Sequence, residues 1–373
     1  MSLRIVIIAR HHGEPGSGGA RRPALLAKAL RAQGHHVHVV SAYPGDHQDD
    51  ILIPHPALAS RSGDSANAAA SPSLLEVVKA PLRSFLLWPE PDIRWARRVV
   101  AELPGYAPEA DILLTTSPPE SVHLVGTRLA RPMRAAWWAD FRDTWTLRPH
   151  RQNVRGLRAV LERRLARRWL ASADAVSVVD NVVKEDVERM IPRDIPLHVV
   201  GHFSEPFEGV PTSLPQDAFN LVHTGGFSLS DHRRPLAPIL TELAATRDDL
   251  MLHVAGRLGE DEIRMLDAAP FRTRHHGTLS LAQSRALQAG ADALLLYTPD
   301  TSDALPGKAA EYVATGKPIV LHGDMSLAEQ LPVPVYGIVD LAGITRGTPS
   351  AGELSKALPE WVEAIEDLAA KTA

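Results

Sequence analysis

The 373-residue chain is 45% hydrophobic and 23% charged, with a mean hydropathy of −0.10 and a formal net charge of −4. These are the values of an ordinary water-soluble globular protein long enough for two domains, and they exclude a global attraction to nucleic acid or to an anionic membrane. The absence of cysteine excludes disulfides, zinc thiolates and a thiol nucleophile, and is compatible with a cytoplasmic enzyme.

In chain order, LRIVIIA (3–9) opens the pattern. Its apolar run stops at Arg10, short of the roughly 7–15 residues of a secretory core segment, and reads as a first buried strand. EPGSGGARR (14–22) is a glycine-rich turn before a helix over about 20–33, closed by Gly34 and followed by the strand VHVVS (37–41). Residues 44–105 are less regular. DILLTT (111–116), a helix near 121–130, AAWWA (135–139), a long helix near 156–172, AVSVV (175–179) and LHVV (197–200) complete a first series of strand–helix alternations, the signature of a parallel sheet.

Pro, Glu, Ser and Gly accumulate over 201–216 and read as a linker. The rhythm restarts with FNLVH (219–223), a Gly-Gly loop, a helix near 235–246, LMLHVAG (250–256) and ADALLLYTP (291–299). Ser280 and Gln283 form a capping box for the helix leading to Ala289. A loop, helix and strand follow in SDALPGKAAEYVATGKPIVLH (302–322), and ELSKALPEWVEAIEDLA (353–369) reads as a helix with Pro359 as a break or kink. No apolar run reaches the roughly 18 residues of a membrane span. The expected architecture is α/β, two Rossmann-like doubly wound parallel-sheet domains facing across a cleft: residues 1–205, a linker at 206–218, a second domain at 219–350, and a C-terminal helix at 351–373 packing back on the first.

Both halves open with a strand, a Gly-Gly turn and arginines. Gly18 and Gly19 have no Cβ to obstruct a ligand, and the following helix N-terminus favours an anion; the alternative is that they only turn the chain. A dinucleotide fingerprint fails, because counting from Gly16 places Arg21 where the third glycine belongs. Gly225 and Gly226 with Arg233 and Arg234 repeat the arrangement. In the third loop Pro306 suits a helix start, and Gly307 and Lys308 present backbone donors and an ammonium to a diphosphate. Glu311, an acceptor only, suits a ribose diol, and Asp303 can accept from the hydroxyls of a second sugar. In WADFRDTW (138–145) Asp140 or Asp143 can orient or deprotonate an acceptor hydroxyl; an internal Asp–Arg ion pair fixing the loop is the competing reading.

The string DALPGKAAEYVATGKPI, with two acids eight positions apart, resembles the GT4-like retaining glycosyltransferases of GT-B fold. The resemblance extends through GARRPALLAKALRAQGHHVHVVS, TSPPESVHLVG, WWADFRDTW, ADAVSVVD and HTGGFSLSDHRRP. It implies that Glu311 binds the donor ribose and that Gly307 and Lys308 bind the diphosphate. Gly18 and Gly19 would meet the diphosphate or the transferred sugar from the N-terminal, acceptor-side domain. Arg233 or Arg234, with Arg257, would stabilise the leaving phosphate, and Arg142 with Asp143 would stand where many relatives carry a pocket histidine. The implied reaction is retaining transfer of a sugar from a nucleoside-diphosphate sugar, a co-substrate rather than a cofactor, to a small molecule or glycan. The chain has no D-x-D triplet, so the expected chemistry is metal-independent. A nucleotide-sugar epimerase or hydrolase on the same fold, and a non-catalytic nucleotide-sugar binder, are the alternatives.

Histidine pairs at 11, 35 and 275 lack zinc-site spacing, and no G-x-S-x-G elbow supports a hydrolase triad. The arginine-rich segment 147–169 reads either as a solvated helix or as a peripheral contact for an anionic membrane or acceptor. No nucleic-acid partner is expected.

Overall fold

Four successive β-branched residues, Ile5 to Ile8, are at most 1% exposed, which requires a strand covered on both faces. Such a strand has to lie inside a parallel sheet with helices on either side. The computed structural model describes residues 2–14, 18–56, 88–146, 157–192, 194–229, 234–299, 306–346 and 357–372, and divides into residues 1–201 with 357–373 and residues 202–356.

The first unit runs β1 (Arg4–Ile8), α1 (Arg21–Ala32), β2 (His36–Ser41), β3 (Ile51–Leu52), α2 (Ile93–Glu102), β4 (Ile112–Ser117), α3 (His123–Leu129), β5 (Ala136–Phe141), α4 (Leu157–Leu170), β6 (Ala175–Val178), α5 (Asn181–Glu188) and β7 (Leu197–Val199). Its strands are parallel in the order β3-β2-β1-β4-β5-β6-β7. Alternation along β5 sends its two indoles to opposite faces. Trp137 Nε1 donates to Thr115 Oγ1 at 2.9 Å and Trp138 Nε1 to Ser177 Oγ at 2.9 Å, so both fully buried rings keep a polar partner. Gly126 in α3 is tied to the same packing, because a Cβ there would collide with the Trp137 ring.

The second unit runs β8 (Phe219–Thr224), α6 (Leu236–Leu243), β9 (Leu250–Ala255), α7 (Glu260–Asp267), β10 (Arg272–His275), α8 (Leu281–Gly290), β11 (Ala293–Tyr297), α9 (Lys308–Val313), β12 (Ile319–His322) and β13 (Val335–Gly337). Its parallel order is β10-β9-β8-β11-β12-β13. The Ser280–Gln283 capping box opens α8 as the residues require. The C-terminal helix α10 (Ala357–Thr372) belongs to the first unit and packs on α1.

Three readings from sequence change. Pro359 sits in the first turn of α10, where its missing N–H leaves nothing unpaired, and neither breaks nor kinks the helix. Pro306 precedes the N-cap Gly307 of α9 instead of occupying its first turn, and accepts from Ala309 N at 2.8 Å. The residues read as a linker associate with the second unit: Thr212 N donates to Ala286 O at 2.8 Å, and Leu214 is buried in its core. Edge strands β3 and β13 are too short, and β10 too polar, to announce themselves.

Register does the rest. Pairing places Thr116 beside Asp140 and Asp140 beside Ser177, a row of three polar side chains in a sheet interior. Both hydroxyls donate to the Asp140 carboxylate at 2.7 Å. Arg22, from the first turn of α1, completes the set with two bonds of 3.1 Å to Asp140, and also donates to Val200 O and Gly201 O. Its guanidinium lies 4.4 Å from the Trp361 ring centroid of α10. Asp140 is 0% and Arg22 6% exposed. Burial pushes the carboxyl up, but Arg22's charge and bonds, with those of Ser177 and Thr116, prevail and hold it below the ordinary carboxylate range.

Arg22→Met leaves a buried charge uncompensated. It is expected to lower unfolding free energy by about 3–5 kcal/mol, read from urea denaturation at neutral pH. A loss below about 0.5 kcal/mol, the range of an inconsequential surface change, would show that the pair does not hold this unit together.

Candidate functional site

In the first unit the candidate residues gather beyond the carboxyl ends of β1, β2, β4 and β5, the edge at which open α/β sheets bind ligands. Gly18 and Gly19 lie in a short 3-10 turn, Gly18–Ala20, that runs into α1. A Cβ at position 18 would meet nothing within 4 Å among the described residues. Arg142 follows β5 and donates to Gly19 O at 2.6 Å, Ser117 O at 2.9 Å and Pro118 O at 3.1 Å. It is a clamp that fixes the glycine turn against the end of β4.

Asp140 and Asp143 separate completely. Asp140 lies beneath the site, with both oxygens engaged by Arg22 and the two hydroxyls. The ion pair weighed from sequence exists, but its cation is Arg22 and not the neighbouring Arg142. A fully enclosed, ionised carboxylate with four donors cannot reach an acceptor hydroxyl, so the orienting role considered for Asp140 does not hold. Asp143 is exposed and keeps that possibility.

A polar cluster missed in the sequence stands at the same edge. Tyr43 donates to Glu14 Oε1 at 2.6 Å, His11 Nδ1 is 2.5 Å from Glu14 Oε2, and Arg10 Nε donates to Asp92 at 2.6 Å. Burial pushes the Glu14 carboxyl up, but bonds from Tyr43 and His11 with Arg10's charge hold it low. Burial lowers His11, and the nearby charges of Arg10 and Arg142 act in the same direction against the Glu14 bond. A mostly neutral imidazole beside an ionised carboxylate can orient a hydroxyl. The only sequence signal was the adjacency of His11 and Glu14 to the glycine loop, because Tyr43 arrives from another strand.

In the second unit the loops after β8 and β9 touch. Gly225 (φ +137°) and Gly256 (φ +155°) have backbone conformations that suit glycine, and a Cβ on Gly256 would collide with the Gly225 carbonyl. A Cβ on Gly225 would stand 2.9 Å from Lys308 Cε. Gly226 follows in the same half-buried loop. Thr224, the last residue of β8, is the hub below: its N–H donates to Tyr312 Oη at 3.0 Å, and its Oγ1 accepts from Gln288 Nε2 at 2.8 Å and from Lys308 Nζ at 3.3 Å. Gln288 Nε2 also reaches Glu311 Oε2 at 3.2 Å. Lys308 and Glu311 were singled out from sequence, whereas Thr224 and Gln288, which bond them, and Tyr312, which bonds Thr224, were not.

Other predicted residues fall around this hub or apart from it. Arg234 is half-buried, and its charge reaches both His223 and Tyr312; Lys308 acts on His223 as well. Burial pushes the Tyr312 phenol up to about 12. Gly307 is exposed, and a Cβ on it would lie 3.5 Å from the His202 ring. Arg257 is exposed after β9, with no bond to the hub. Arg233 and Asp303 lie outside the described residues. Among the described residues, no group of three or more His, Cys, Asp or Glu could hold a metal ion.

Residues 17–202 match the glycosyl transferase 4-like domain family. Sucrose-phosphate synthase from Thermosynechococcus elongatus is similar in structure, with a TM-score of 0.61 at 15% identity, covering 99% of this chain and 97% of that one. HepE of Anabaena in complex with UDP-glucose gives 0.58 at 15% identity, with 99% of each chain covered. The UDP-forming α,α-trehalose-phosphate synthase from Burkholderia vietnamiensis gives 0.59 at 13% identity, with 100% of each covered. The chain is a GT4-type glycosyltransferase. At such identities the structural likeness itself is one of fold, the GT-B pair of parallel-sheet domains. No curated protein sequence matches the chain significantly.

One histidine under the hub of this glycosyltransferase has a measurable consequence. His223 is 3% exposed, its Nδ1 donates to Leu295 O at 2.9 Å, and burial pushes its pKa down to about 3. The imidazole is neutral in the native state, whereas the unfolded chain protonates it below about 6.5. The unfolded state thus binds more protons, and His223 costs roughly 1.4 kcal/mol of stability per unit as pH falls from about 6.5 toward its folded value. His223→Asn, which keeps a donor, is expected to flatten the loss of urea stability between pH 6.5 and 4. Equal slopes in parent and variant would refute that assignment.

Proposed function

We propose that this glycosyltransferase moves a sugar from a nucleoside-diphosphate sugar to a hydroxyl of a small molecule or glycan, with retention at the anomeric carbon and without a divalent metal. The observation that carries the proposal is the Thr224 hub, which holds the Lys308 ammonium and the Glu311 carboxylate, both half-buried, beside the Gly225–Gly226 turn. Lys308 and Arg234 act on the diphosphate, and Glu311 accepts from the ribose hydroxyls. Asp303, Arg233 and Arg257, like Gly18 and Gly19, keep the roles implied by the resemblance. The complex of HepE with UDP-glucose makes a uridine nucleotide the first donor to try.

In the reaction the bond from the anomeric carbon to the phosphate oxygen breaks as the acceptor oxygen attaches. Negative charge grows on the departing diphosphate, where Lys308 and Arg234 stabilise it more than in the ground state. The acceptor proton passes to a phosphate oxygen on the same face. His11, Glu14 and Asp143 orient the acceptor. No helix among the described residues is long and apolar enough to cross a membrane. A cytoplasmic location, and a peripheral anionic contact through the 147–169 segment, whose described part exposes Arg163, Arg164 and Arg167, belong to the same proposal.

Glu311→Ala and Lys308→Ala are each expected to weaken UDP binding in calorimetry about 10- to 100-fold, the range for a lost bond to a charged group, with folding unchanged. In turnover assays with a panel of nucleotide sugars, nucleotide release should require an acceptor and persist in EDTA. Release without acceptor would indicate a hydrolase, a rearranged sugar an epimerase, and binding without turnover a sensor. Unaltered UDP affinity in both variants would remove the proposed donor site.

A further inference from the structure

Away from the candidate site, helices α2, α3 and α4 of the first unit enclose a groove of about 490 Å³, within the size range of small-ligand sites. Leu124, Leu165 and Trp169 give it apolar walls, while Arg97, Arg128 and Arg168 reach it from one helix each. No aspartate or glutamate is among its described lining residues. Nor does any of the three guanidinium groups make a hydrogen bond or ion pair among the described residues. Their helical neighbours differ: Arg98 is paired with Glu102 at 2.6 Å and Arg158 with Glu162 at 3.1 Å.

Three like charges around an apolar hollow are unfavourable twice over, through mutual repulsion and through water held against hydrocarbon and indole. One ligand relieves both. Guanidinium forks match the oxygens of a phosphate or carboxylate, and the walls match an aliphatic chain. We propose that this groove binds a single amphiphile with one phosphate or carboxylate head, held by Arg97, Arg128 and Arg168, and an aliphatic tail lying along Leu124, Leu165 and Trp169. The concave shape takes up one dispersed molecule instead of resting on a bilayer. The inference does not depend on the proposed transfer reaction: Leu165, Arg168 and Trp169 lie in the 147–169 segment, but none of the groove residues is among those given a role in the transfer itself.

The test is calorimetry of the full chain with dodecyl phosphate below its micellar concentration, with inorganic phosphate and dodecanol as separate titrants. All three arginines are exposed, so Arg97→Gln/Arg128→Gln/Arg168→Gln should fold normally. Saturable one-to-one binding of dodecyl phosphate is expected, weakened about tenfold or more in that variant, since exposed charge contacts contribute modestly each and three act together. The control Arg94→Gln/Arg131→Gln/Arg189→Gln removes the same charge elsewhere on the unit and should change affinity less than about twofold. Equal losses in the two variants, or inorganic phosphate or dodecanol binding as tightly as dodecyl phosphate, would overturn the assignment. So would binding confined to anionic phospholipid vesicles, which would place the contact on a membrane surface.

Discussion

A carboxylate with no access to water sets the terms for the first unit. Asp140 lies in the middle of a seven-stranded sheet and is 0% exposed, where an isolated charge would be untenable. Its solution combines local and distant parts. Register supplies Thr116 and Ser177 from the adjacent strands, while Arg22 comes from the start of α1. The same guanidinium binds the carbonyls of Val200 and Gly201 and lies over Trp361. Neutralising one anion therefore joins the sheet, the first helix, the chain after β7 and the C-terminal helix. The glycine turn before α1 inherits its position from this anchor and from Arg142.

The second unit builds its hub from neutral groups: the Thr224 hydroxyl and amide, the Gln288 amide and the Tyr312 phenol, with Lys308 and Glu311 as half-buried outer members. Neutral hydrogen bonds carry little desolvation cost, and the two charged groups keep one side toward solvent. That difference suits division of labour. The first unit carries a polar edge tied down by side-chain bonds, and the second keeps a cation and an anion half-buried. Gly225 and Gly256 contribute by what they lack, since backbone contact between two loops is compatible only with residues that have no Cβ.

The outline was legible in the sequence wherever burial was two-sided. Runs such as RIVII, ILLTTS and LMLHVA are buried along nearly their whole length, and apolar continuity announces such strands. Edge strands do not share that property: RTRH in β10 alternates exposed and half-buried residues and resembles a loop. The same asymmetry runs through the site. Lys308 and Glu311 were visible because they share one short segment with a Gly-Lys-Pro stop. Thr224, Gln288, Tyr43 and Arg22 were not, because their partners lie 23 to 118 positions away.

The sequence alone thus determined the alternating α/β pattern, the two-domain GT-B architecture and the family, because periodicity and short glycine-bearing motifs are local properties of a chain. The tertiary structure alone decided that Asp140 is an anchor while Asp143 meets solvent, although they are only three positions apart. It also decided which arginines are spent on carbonyls and carboxylates and which stand around an apolar groove. Burial and pairing depend on strand register and helix placement, which bring distant residues within hydrogen-bond range. No spacing along the chain records that distance.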